Sequence, residues 1–297
     1  MLNFREILLS DRDALHAHLY KAQGYGSEYS FANLFLWGKQ RVCFDCGTPL
    51  ILSRFGSRYS YLMPLGGDRA ALIDLLREDA RERGIPFRLF GLLADDVAWL
   101  TERFPGEFTC RTVRDSFDYV YDIDRLAELH GKKLQAKRNH CNRFEDAYPD
   151  HRIVPLTKEL LPLCAAFAER WYAEHEQANP EIDYSDERAA LRKAFAYFDE
   201  LHMSGVLVET TDGVVAFSMG NRIREDTFDV NFEKALADIN GAYPIVNRAF
   251  ARRIRTACPE IRLLNREDDM GLEGLRRAKE SYFPDLLLEK SIAEAVE

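Results

Sequence analysis

The turn Thr211-Asp212-Gly213 restricts the fold of this chain strongly, because it joins two runs of β-forming residues, 206–210 and 214–219. An Asp-Gly pair between such runs is a strong β-hairpin signal, since hairpin turns need backbone conformations that these residues tolerate. Strand and helix signals then alternate: a strand over 227–233, a helix over 243–257, a strand over 261–264, a helix around 279 and a strand over 286–290. This order predicts an α/β unit whose mixed sheet is flanked by helices.

The order hairpin, strand, helix, strand, helix, strand is that of the N-acetyltransferase-type (GNAT) fold. The first half of the chain has a looser version of it, in which short strands over 42–63 precede helix, strand, helix and strand signals. We therefore predict a tandem GNAT-like fold of the α/β (α+β) class, with two mixed sheets flanked by helices. The predicted domains are residues 1–125 and residues 126–297, and the second is expected to carry the site.

The composition argues against several classes of protein. A net charge of -9 disfavours a protein that coats nucleic acid through bulk electrostatics, although a local basic patch is compatible with it. No apolar run reaches the ~18 residues that cross a bilayer, and the first residues do not form a signal peptide. The six cysteines are scattered, and the Cys43/Cys46 pair lacks a second pair to complete a zinc site. We expect a cytoplasmic protein with reduced thiols and no metal.

The segment 265–282 gives the strongest indication of a site. Its helix has an apolar stripe that includes Leu272 and Tyr282, and at about 100° per residue Lys279 lies within roughly 20° of Leu272. We therefore expect the Lys279 amine to be buried. A buried amine needs a carboxylate or a ligand as its partner.

The strand before this helix delivers Asn265, Arg266 and Glu267 beside Lys279. One interpretation is a reactive cleft lined by these polar groups. The other is a buried ion-pair network that only stabilises the fold, because such networks perturb charges without doing chemistry.

The strand over 227–233 alternates apolar and polar residues, which places Asn231 and Glu233 on one face. A half-exposed strand shows the same alternation. If the polar face lines a cleft opposite Lys279 and Glu267, a carboxylate there can orient or deprotonate an attacking amine or hydroxyl.

Asn240 and Gly241 precede a helix with a proline in its first turn, which is favourable chemistry for starting a helix. In the GNAT layout, the amides at this helix N-terminus hold the phosphates of acyl-coenzyme A. The usual phosphate loop, glutamine or arginine followed by spaced glycines, is absent here, which weighs against coenzyme A.

The segment 131–144 has five basic residues and no acid, and Lys137, Arg138 and His140 lie in it. A charge run is often only a solvated helix face. In an acidic chain, however, it also suits a phosphate-bearing partner, such as a nucleotide, a tRNA acceptor end or a lipid headgroup. Near the N-terminus, Tyr29 and Trp37 either pack in the core or line a pocket.

Five segments resemble the family formerly called domain of unknown function 2156, which is similar to the C-terminal domain of phosphatidylglycerol lysyltransferases. They are residues 28–34 with Trp37, 137–140 with Phe144, 231–234, 240–244, and 265–271 continuing through Lys279 to Tyr282. The resemblance implies a tandem GNAT-like fold, also similar to the Fem-type transferases that take amino acids from aminoacyl-tRNA. It further implies a cleft lined by Asn231, Glu233, Asn240, Gly241, Arg266, Glu267, Asp268 and Lys279.

These observations favour an acyl- or aminoacyltransferase with an amine or hydroxyl acceptor, which is a small molecule, a peptide or a lipid headgroup. Glu233 or Asp268 would orient or deprotonate the nucleophile, and Lys279 or Arg266 would stabilise the oxyanion. Lys137 and Arg138 would contact the phosphate of the donor, aminoacyl-tRNA or acyl-coenzyme A. The further substrate-binding candidates are Asn231, Asn240, Gly241, Glu267, Tyr282, His140, Tyr29 and Trp37. The alternative is a non-catalytic sensor of a nucleotide, an acyl-coenzyme A or an RNA end, which the missing phosphate loop favours.

Overall fold

The computed structural model describes residues 1–20, 24 and 26–296. Within them the helices are α1 (Arg12–Leu19), α2 (Phe31–Leu36), α3 (Arg69–Arg83), α4 (Ala94–Arg103), α5 (Ile123–Glu128), α6 (Gln135–Ala147), α7 (Leu161–Ala178), α8 (Ser185–Ala196), α9 (Ala242–Ala257) and α10 (Glu273–Glu280). The sequence predicts the first helix over residues 11–22, of which residues 21–22 lie outside the described residues.

The strands of the described residues follow the predicted alternation with helices. They are β1 (Arg5–Glu6), β2 (Gln40–Cys43), β3 (Leu50–Phe55), β4 (Arg58–Leu62), β5 (Arg88–Leu92), β6 (Phe108–Thr112), β7 (Asp118–Asp122), β8 (Arg152–Pro155), β9 (Ser204–Thr210), β10 (Gly213–Gly220), β11 (Thr227–Asp229), β12 (Phe232–Ala235), β13 (Leu263–Asn265), β14 (Leu286–Leu288) and β15 (Ser291–Ala295).

The chain forms two compact units that exchange segments near the C-terminus. The first contains residues 1–118, 268–272 and 287–297, and the second contains 119–267 and 273–286. The C-terminus returns to the first unit because β15 pairs with β5 and β6. The predicted strand over 286–290 is present as β14, which lies beside β7 at the edge of the sheet β11-β13-β7-β14.

The first unit contains one mixed sheet in the order β1-β2-β3-β4-β5-β15-β6, in which β4 and β5 are parallel. Its core packs α3 and α4 against the sheet through buried Ile73, Leu76 and Leu100. Helix α3 begins where the Asp68 side chain accepts a hydrogen bond from the Ala71 amide, and it ends at left-handed Gly84. The sequence predicts a helix over 68–83 that ends at Gly84, because glycine adopts the left-handed conformation that closes a helix.

The second unit contains two sheets where the sequence predicts one. The predicted hairpin is present as β9 and β10, which lie in the antiparallel sheet β12-β10-β9-β8. The predicted strand over 227–233 is broken, since β11 pairs with β13 in the other sheet and β12 pairs with β10. The chain therefore changes sheets at Val230 and Asn231.

Close backbone contact explains the position of this break. A Cβ atom on Gly220, the last residue of β10, would lie 1.8 Å from the carbonyl oxygen of Asp229. Only glycine lets the end of β10 approach the end of β11 this closely. The Asp229 amide also donates to the carbonyl oxygen of Asn221 at 2.8 Å. The two sheets thus meet where β10 ends.

Helix α9 packs on β9 and β10 through a buried face that includes Ile245, Val246 and Phe250. Its N-cap is Gly241, with a φ of 89°. A Cβ there would lie 2.3 Å from the carbonyl oxygen of His140 on α6. Glycine is therefore required both by the left-handed backbone and by the contact of α9 with α6.

We predict that Gly241→Ala destabilises the protein by about 2–4 kcal/mol, because it adds an unfavourable φ and a steric clash. The measurement is the free energy of unfolding in urea. The matched control is Gly274→Ala on exposed α10, where an added Cβ would meet no atom within 4 Å. This control should gain up to about 1 kcal/mol, since alanine favours helix more than glycine does. Equal effects of the two substitutions would contradict the packing account.

No helix in the described part of the chain combines the length and apolarity needed to cross a membrane.

Candidate functional site

The loop that follows β13 in the second unit is fixed by its own side chains and by β7. Glu267 has a φ of 55°, and its amide donates to Asn265 Oδ1 at 2.8 Å. On the adjacent strand, the Tyr119 amide donates to the carbonyl oxygen of Glu267 at 3.2 Å, and its carbonyl oxygen accepts from the Arg266 amide at 2.9 Å. A left-handed non-glycine residue is strained, and such strain is concentrated at functional sites.

Lys279 holds the same loop from α10. The residue is 6% exposed, which confirms that the amine is buried. Its Nζ donates to the carbonyl oxygens of Arg266 at 2.5 Å and Glu267 at 3.2 Å. Tyr121 in turn donates its hydroxyl to the Lys279 carbonyl oxygen at 2.8 Å. Lys279 therefore contacts main-chain carbonyl groups and fixes the path of the chain on which Arg266 lies.

Arg266 and Glu233 form a buried ion pair in the second unit. Arg266 Nη2 donates to Glu233 Oε1 at 2.7 Å, and only 10% of each side chain is exposed. Asn247 on α9 donates its Nδ2 to Glu233 Oε2 at 3.1 Å. Burial by itself lowers the pKa of Arg266, but the Glu233 carboxylate raises it above its usual value, so the guanidinium stays charged.

Two polar atoms that flank this carboxylate have no protein partner. Arg266 Nη1 and Asn247 Oδ1 are both buried, and neither forms a hydrogen bond of 3.5 Å or less with the residues that the structure describes. Leaving a buried donor or acceptor unsatisfied costs about 1–3 kcal/mol. One free donor and one free acceptor, next to the same carboxylate, match a ligand that presents one acceptor and one donor.

Tyr282 and Lys137 complete the cluster around Arg266. The Tyr282 ring centroid is 4.9 Å from Arg266 Cζ and 4.1 Å from Lys137 Nζ. Burial raises the pKa of Tyr282 above its usual value, so the phenol is neutral. Burial, and then the charge of Arg266, lower the pKa of Lys137. Two cations face one carboxylate here, which suits developing negative charge on a ligand.

Asn231 lies where the chain changes sheets, next to the loop after β13. Its Nδ2 donates to Glu267 Oε1 at 3.2 Å and to Asp229 Oδ2 at 3.1 Å. The structure therefore brings Asn231 to Glu267, and Glu233 to Arg266. Arg266, Glu267, Asn231, Glu233, Lys137, Tyr282 and Lys279 all lie in this region of the second unit.

Four other candidates have local structural contacts. His140 Nδ1 lies 2.8 Å from Asn240 Oδ1, which links α6 to the start of α9. Gly241 permits the close contact of those two helices. The guanidinium of Arg138 donates to the carbonyl oxygens of Leu129 and Gly131, so this side chain fixes the loop before α6.

Tyr29, Trp37 and Asp268 belong to the first unit. Tyr29 is 1% exposed and donates its hydroxyl to the Met63 carbonyl oxygen at 3.0 Å, which gives it a place in the core. Trp37 is half-buried at the end of α2.

The first unit also buries an ion-pair cluster that the sequence reading missed. Lys290 Nζ lies 2.6 Å from Glu28 Oε2 and 2.7 Å from Asp118 Oδ1. Burial alone lowers the pKa of Lys290, but the charges of Asp118, Glu28 and Asp268 raise it above its usual value. No local pattern indicates this cluster, because its members are far apart in the chain. Asn247 was also missed, although an asparagine on the apolar face of α9 is a usable signal.

Several known structures resemble this chain. A conserved protein of unknown function from Bacteroides thetaiotaomicron VPI-5482 is 35% identical over 100% of both chains, with a TM-score of 0.93. The C-terminal domain of a putative lysylphosphatidylglycerol synthetase from Agrobacterium fabrum is 12% identical over 97% of this chain and 92% of that one, with a TM-score of 0.66. FemX is 9% identical over 99% of this chain and 98% of that one, with a TM-score of 0.57.

These similarities confirm the predicted fold class, an α/β protein of mixed sheets and helices with the fold of Fem-type transferases. The chain belongs to the family described as "Phosphatidylglycerol lysyltransferase, C-terminal", whose model matches residues 21–294. An uncharacterized protein from Mycoplasmoides gallisepticum is 21% identical over 206 residues, or 68% of this chain. The match spans 62% of the length of that relative.

Proposed function

We propose that this chain is an aminoacyltransferase, which moves an amino acid from an activated ester such as aminoacyl-tRNA onto an amine or a hydroxyl. The cluster around Arg266 and Glu233 in the second unit is the reaction centre. Membership of the lysyltransferase family and the FemX-like fold support the reaction class. The acceptor is a small molecule, a peptide or a lipid headgroup.

The observation that carries the proposal is the pair of unsatisfied atoms beside Glu233, Arg266 Nη1 and Asn247 Oδ1. An aminoacyl ester presents a carbonyl oxygen, which accepts a hydrogen bond, and an amino group one carbon away, which donates one. The carbonyl oxygen binds Arg266 Nη1, and the amino group binds Asn247 Oδ1. A simple acetyl thioester has no such donor and would leave Asn247 Oδ1 unpaired at a cost of about 1–3 kcal/mol.

The transfer step needs little covalent chemistry from the protein, because the ester is already activated. The nucleophile's nitrogen or oxygen bonds to the carbonyl carbon, and the bond from that carbon to the ribose oxygen breaks. The proton lost by the nucleophile passes through Glu233 to the departing ribose hydroxyl. Negative charge develops on the carbonyl oxygen, where Arg266 Nη1 stabilises it.

The remaining residues position these groups. Lys279 fixes the backbone of Arg266, and Asn247 fixes the second oxygen of Glu233. Lys137 adds positive charge at the Tyr282 ring. Of the two acids considered as base, Glu233 is favoured over Asp268 because it contacts Arg266 directly.

The test is to incubate the protein with a pool of tRNA charged with radiolabelled amino acids, together with mixed amine, peptide and lipid acceptors. We expect the label to leave the tRNA and to appear in a covalent product with the acceptor, a base-stable amide if the acceptor is an amine and a base-labile ester if it is a hydroxyl. Acetyl-coenzyme A should remain intact under the same conditions. Protection of the charged tRNA without consumption of its ester would instead indicate the non-catalytic sensor, which the missing phosphate loop before α9 favours. Consumption of acetyl-coenzyme A alone would also contradict the proposal.

A further inference from the structure

The start of α6 presents a group of basic side chains that no acid neutralises. Lys132, Lys133 and Lys137, hereafter the basic edge, form no ion pair within 4.0 Å in the described chain. Some other cations of the second unit are paired, as Arg248 is with Glu145 and as Arg255 is with acids of α5. Three lysines without an ion pair, close together in a chain of net charge -9, favour an anionic partner.

An exposed aromatic ring lies beside the basic edge. Phe283 is 40% exposed, and Lys133 Nζ lies 5.4 Å from its ring centroid. Its φ is 55°, which is unusual for a bulky residue. The conformation is held because the Phe283 amide donates to the Glu280 carbonyl oxygen at 2.8 Å, and Arg125 Nη2 donates to the Phe283 carbonyl oxygen at 3.0 Å. The fold thus keeps a large apolar ring at the surface under strain.

The basic edge continues into the proposed reaction centre. Lys133 lies in the turn before α6, and Lys137 lies in the first turn of α6. Lys133 contacts the ring of Phe283, and Lys137 contacts the ring of Tyr282, which Arg266 also contacts. Cations and aromatic rings therefore alternate from the surface to the buried guanidinium.

We infer that the basic edge and Phe283 dock the single-stranded 3′ end of an RNA, with its terminal ester directed toward Arg266. This inference rests on the proposed function, since it locates the donor of the transfer. Lysines that follow the backbone phosphates, together with an aromatic ring on which a base stacks, are the combination that binds single-stranded nucleic acid.

A membrane surface fits these residues less well. Helices that lie on membranes insert an apolar face. The apolar residues at the start of and along α6, Leu134, Cys141 and Phe144, are buried in the second unit. Its exposed positions carry polar side chains, such as Asn139 and Asn142. The exposed side of α6 is therefore polar, which suits RNA phosphates better than the apolar interior of a lipid layer.

The test measures binding of fluorescent, uncharged tRNA to the whole protein as a function of salt. The variant is Lys132→Gln/Lys133→Gln, and the control is Arg58→Gln/Arg111→Gln, which removes two exposed positive charges from the first unit. We expect the first variant to bind about five- to ten-fold more weakly near 0.15 M salt, with a salt slope lower by about 1.4. The control should bind as the unchanged protein does.

A second variant separates base stacking from charge. Phe283→Ala should keep the salt slope but bind intact tRNA roughly five-fold or more weakly. It should also lose any preference for intact tRNA over tRNA trimmed of its 3′ single strand. A protein that does not bind tRNA, or a lysine variant with unaltered affinity, overturns the inference. Loss of binding to phosphatidylglycerol vesicles, with tRNA binding unchanged, overturns it in favour of a membrane.

Because the tRNA is uncharged, this assay does not depend on catalysis. If the variants bind tRNA as expected but the protein consumes no ester from charged tRNA, the transferase proposal is refuted and the docking surface is supported. If aminoacyl transfer is normal in the lysine and phenylalanine variants, the proposed docking surface is refuted and the transferase proposal is supported.

Discussion

Replacing Arg266 with methionine should lower aminoacyl transfer by about 10²–10³-fold, the effect of removing one donor to a developing oxyanion. It should also destabilise the protein by about 3–5 kcal/mol, because Glu233 is left buried without its counter-charge. Transfer is measured as consumption of labelled ester, and stability as the free energy of unfolding in urea. Both effects follow from one buried ion pair.

The double variant Arg266→Met/Glu233→Gln separates these two effects. Glutamine keeps an oxygen that accepts from Asn247 Nδ2 but carries no charge, so most of the lost stability should return. Transfer should stay as low as in the single variant. A double variant that regains transfer, or an Arg266→Met protein with unchanged transfer, would show that Arg266 has no catalytic role.

Lys279→Met should reduce aminoacyl transfer by about 10²-fold, although Lys279 acts on the reaction only by positioning the chain on which Arg266 lies. Its ammonium holds the carbonyl oxygens of Arg266 and Glu267, and Glu267 is in a left-handed conformation. Without these bonds the loop relaxes, and a displacement of about 1 Å at the reaction centre has an effect of this size. Losing the charged hydrogen bonds should also cost about 2–4 kcal/mol of stability.

The control for Lys279 lies on the same helix. Arg277→Met removes an exposed cation whose ion pair with Glu273 lies at the surface, so stability should change by less than about 0.5 kcal/mol and transfer should not change. A positioning role predicts that Lys279→Met lowers kcat more than it raises KM. It also predicts partial rescue by Lys279→Arg, which keeps the charge. A loss of stability with normal kcat in the folded fraction would show that Lys279 is only structural.

Local patterns predicted much of the fold. The Asp212-Gly213 hairpin and the end of α3 at Gly84 depend on a few adjacent residues, and the structure contains both. The burial of Lys279 followed from helical periodicity alone. These features need no information about distant parts of the chain.

Long-range features were not predictable in the same way. The alternation over 227–233 is regular, but it cannot show that the chain changes sheets at Val230 and Asn231, which depends on the approach of Gly220. Nor does the sequence show that β15 pairs in the sheet of the first unit, since strand pairing across about 200 residues leaves no local trace.

Sequence patterns indicated several residues of the candidate site but not the partners of those residues. Arg266, Glu233 and Lys279 were expected in one cleft, and the structure brings them together in the second unit. The partners differ, because Lys279 contacts carbonyl oxygens and Glu233 is shared with Asn247. A buried asparagine on α9 becomes recognisable as a site residue only when its neighbour across the fold is known.

The decisive measurement is a crystal structure of the protein with a 3′-aminoacylamino-3′-deoxyadenosine, in which a stable amide replaces the ester of the aminoacyl-tRNA end. The amide carbonyl oxygen should lie about 2.7–3.2 Å from Arg266 Nη1, and the α-amino group at a similar distance from Asn247 Oδ1. A ligand that binds elsewhere, with both of those atoms still unpaired, would contradict the assignment of the reaction centre.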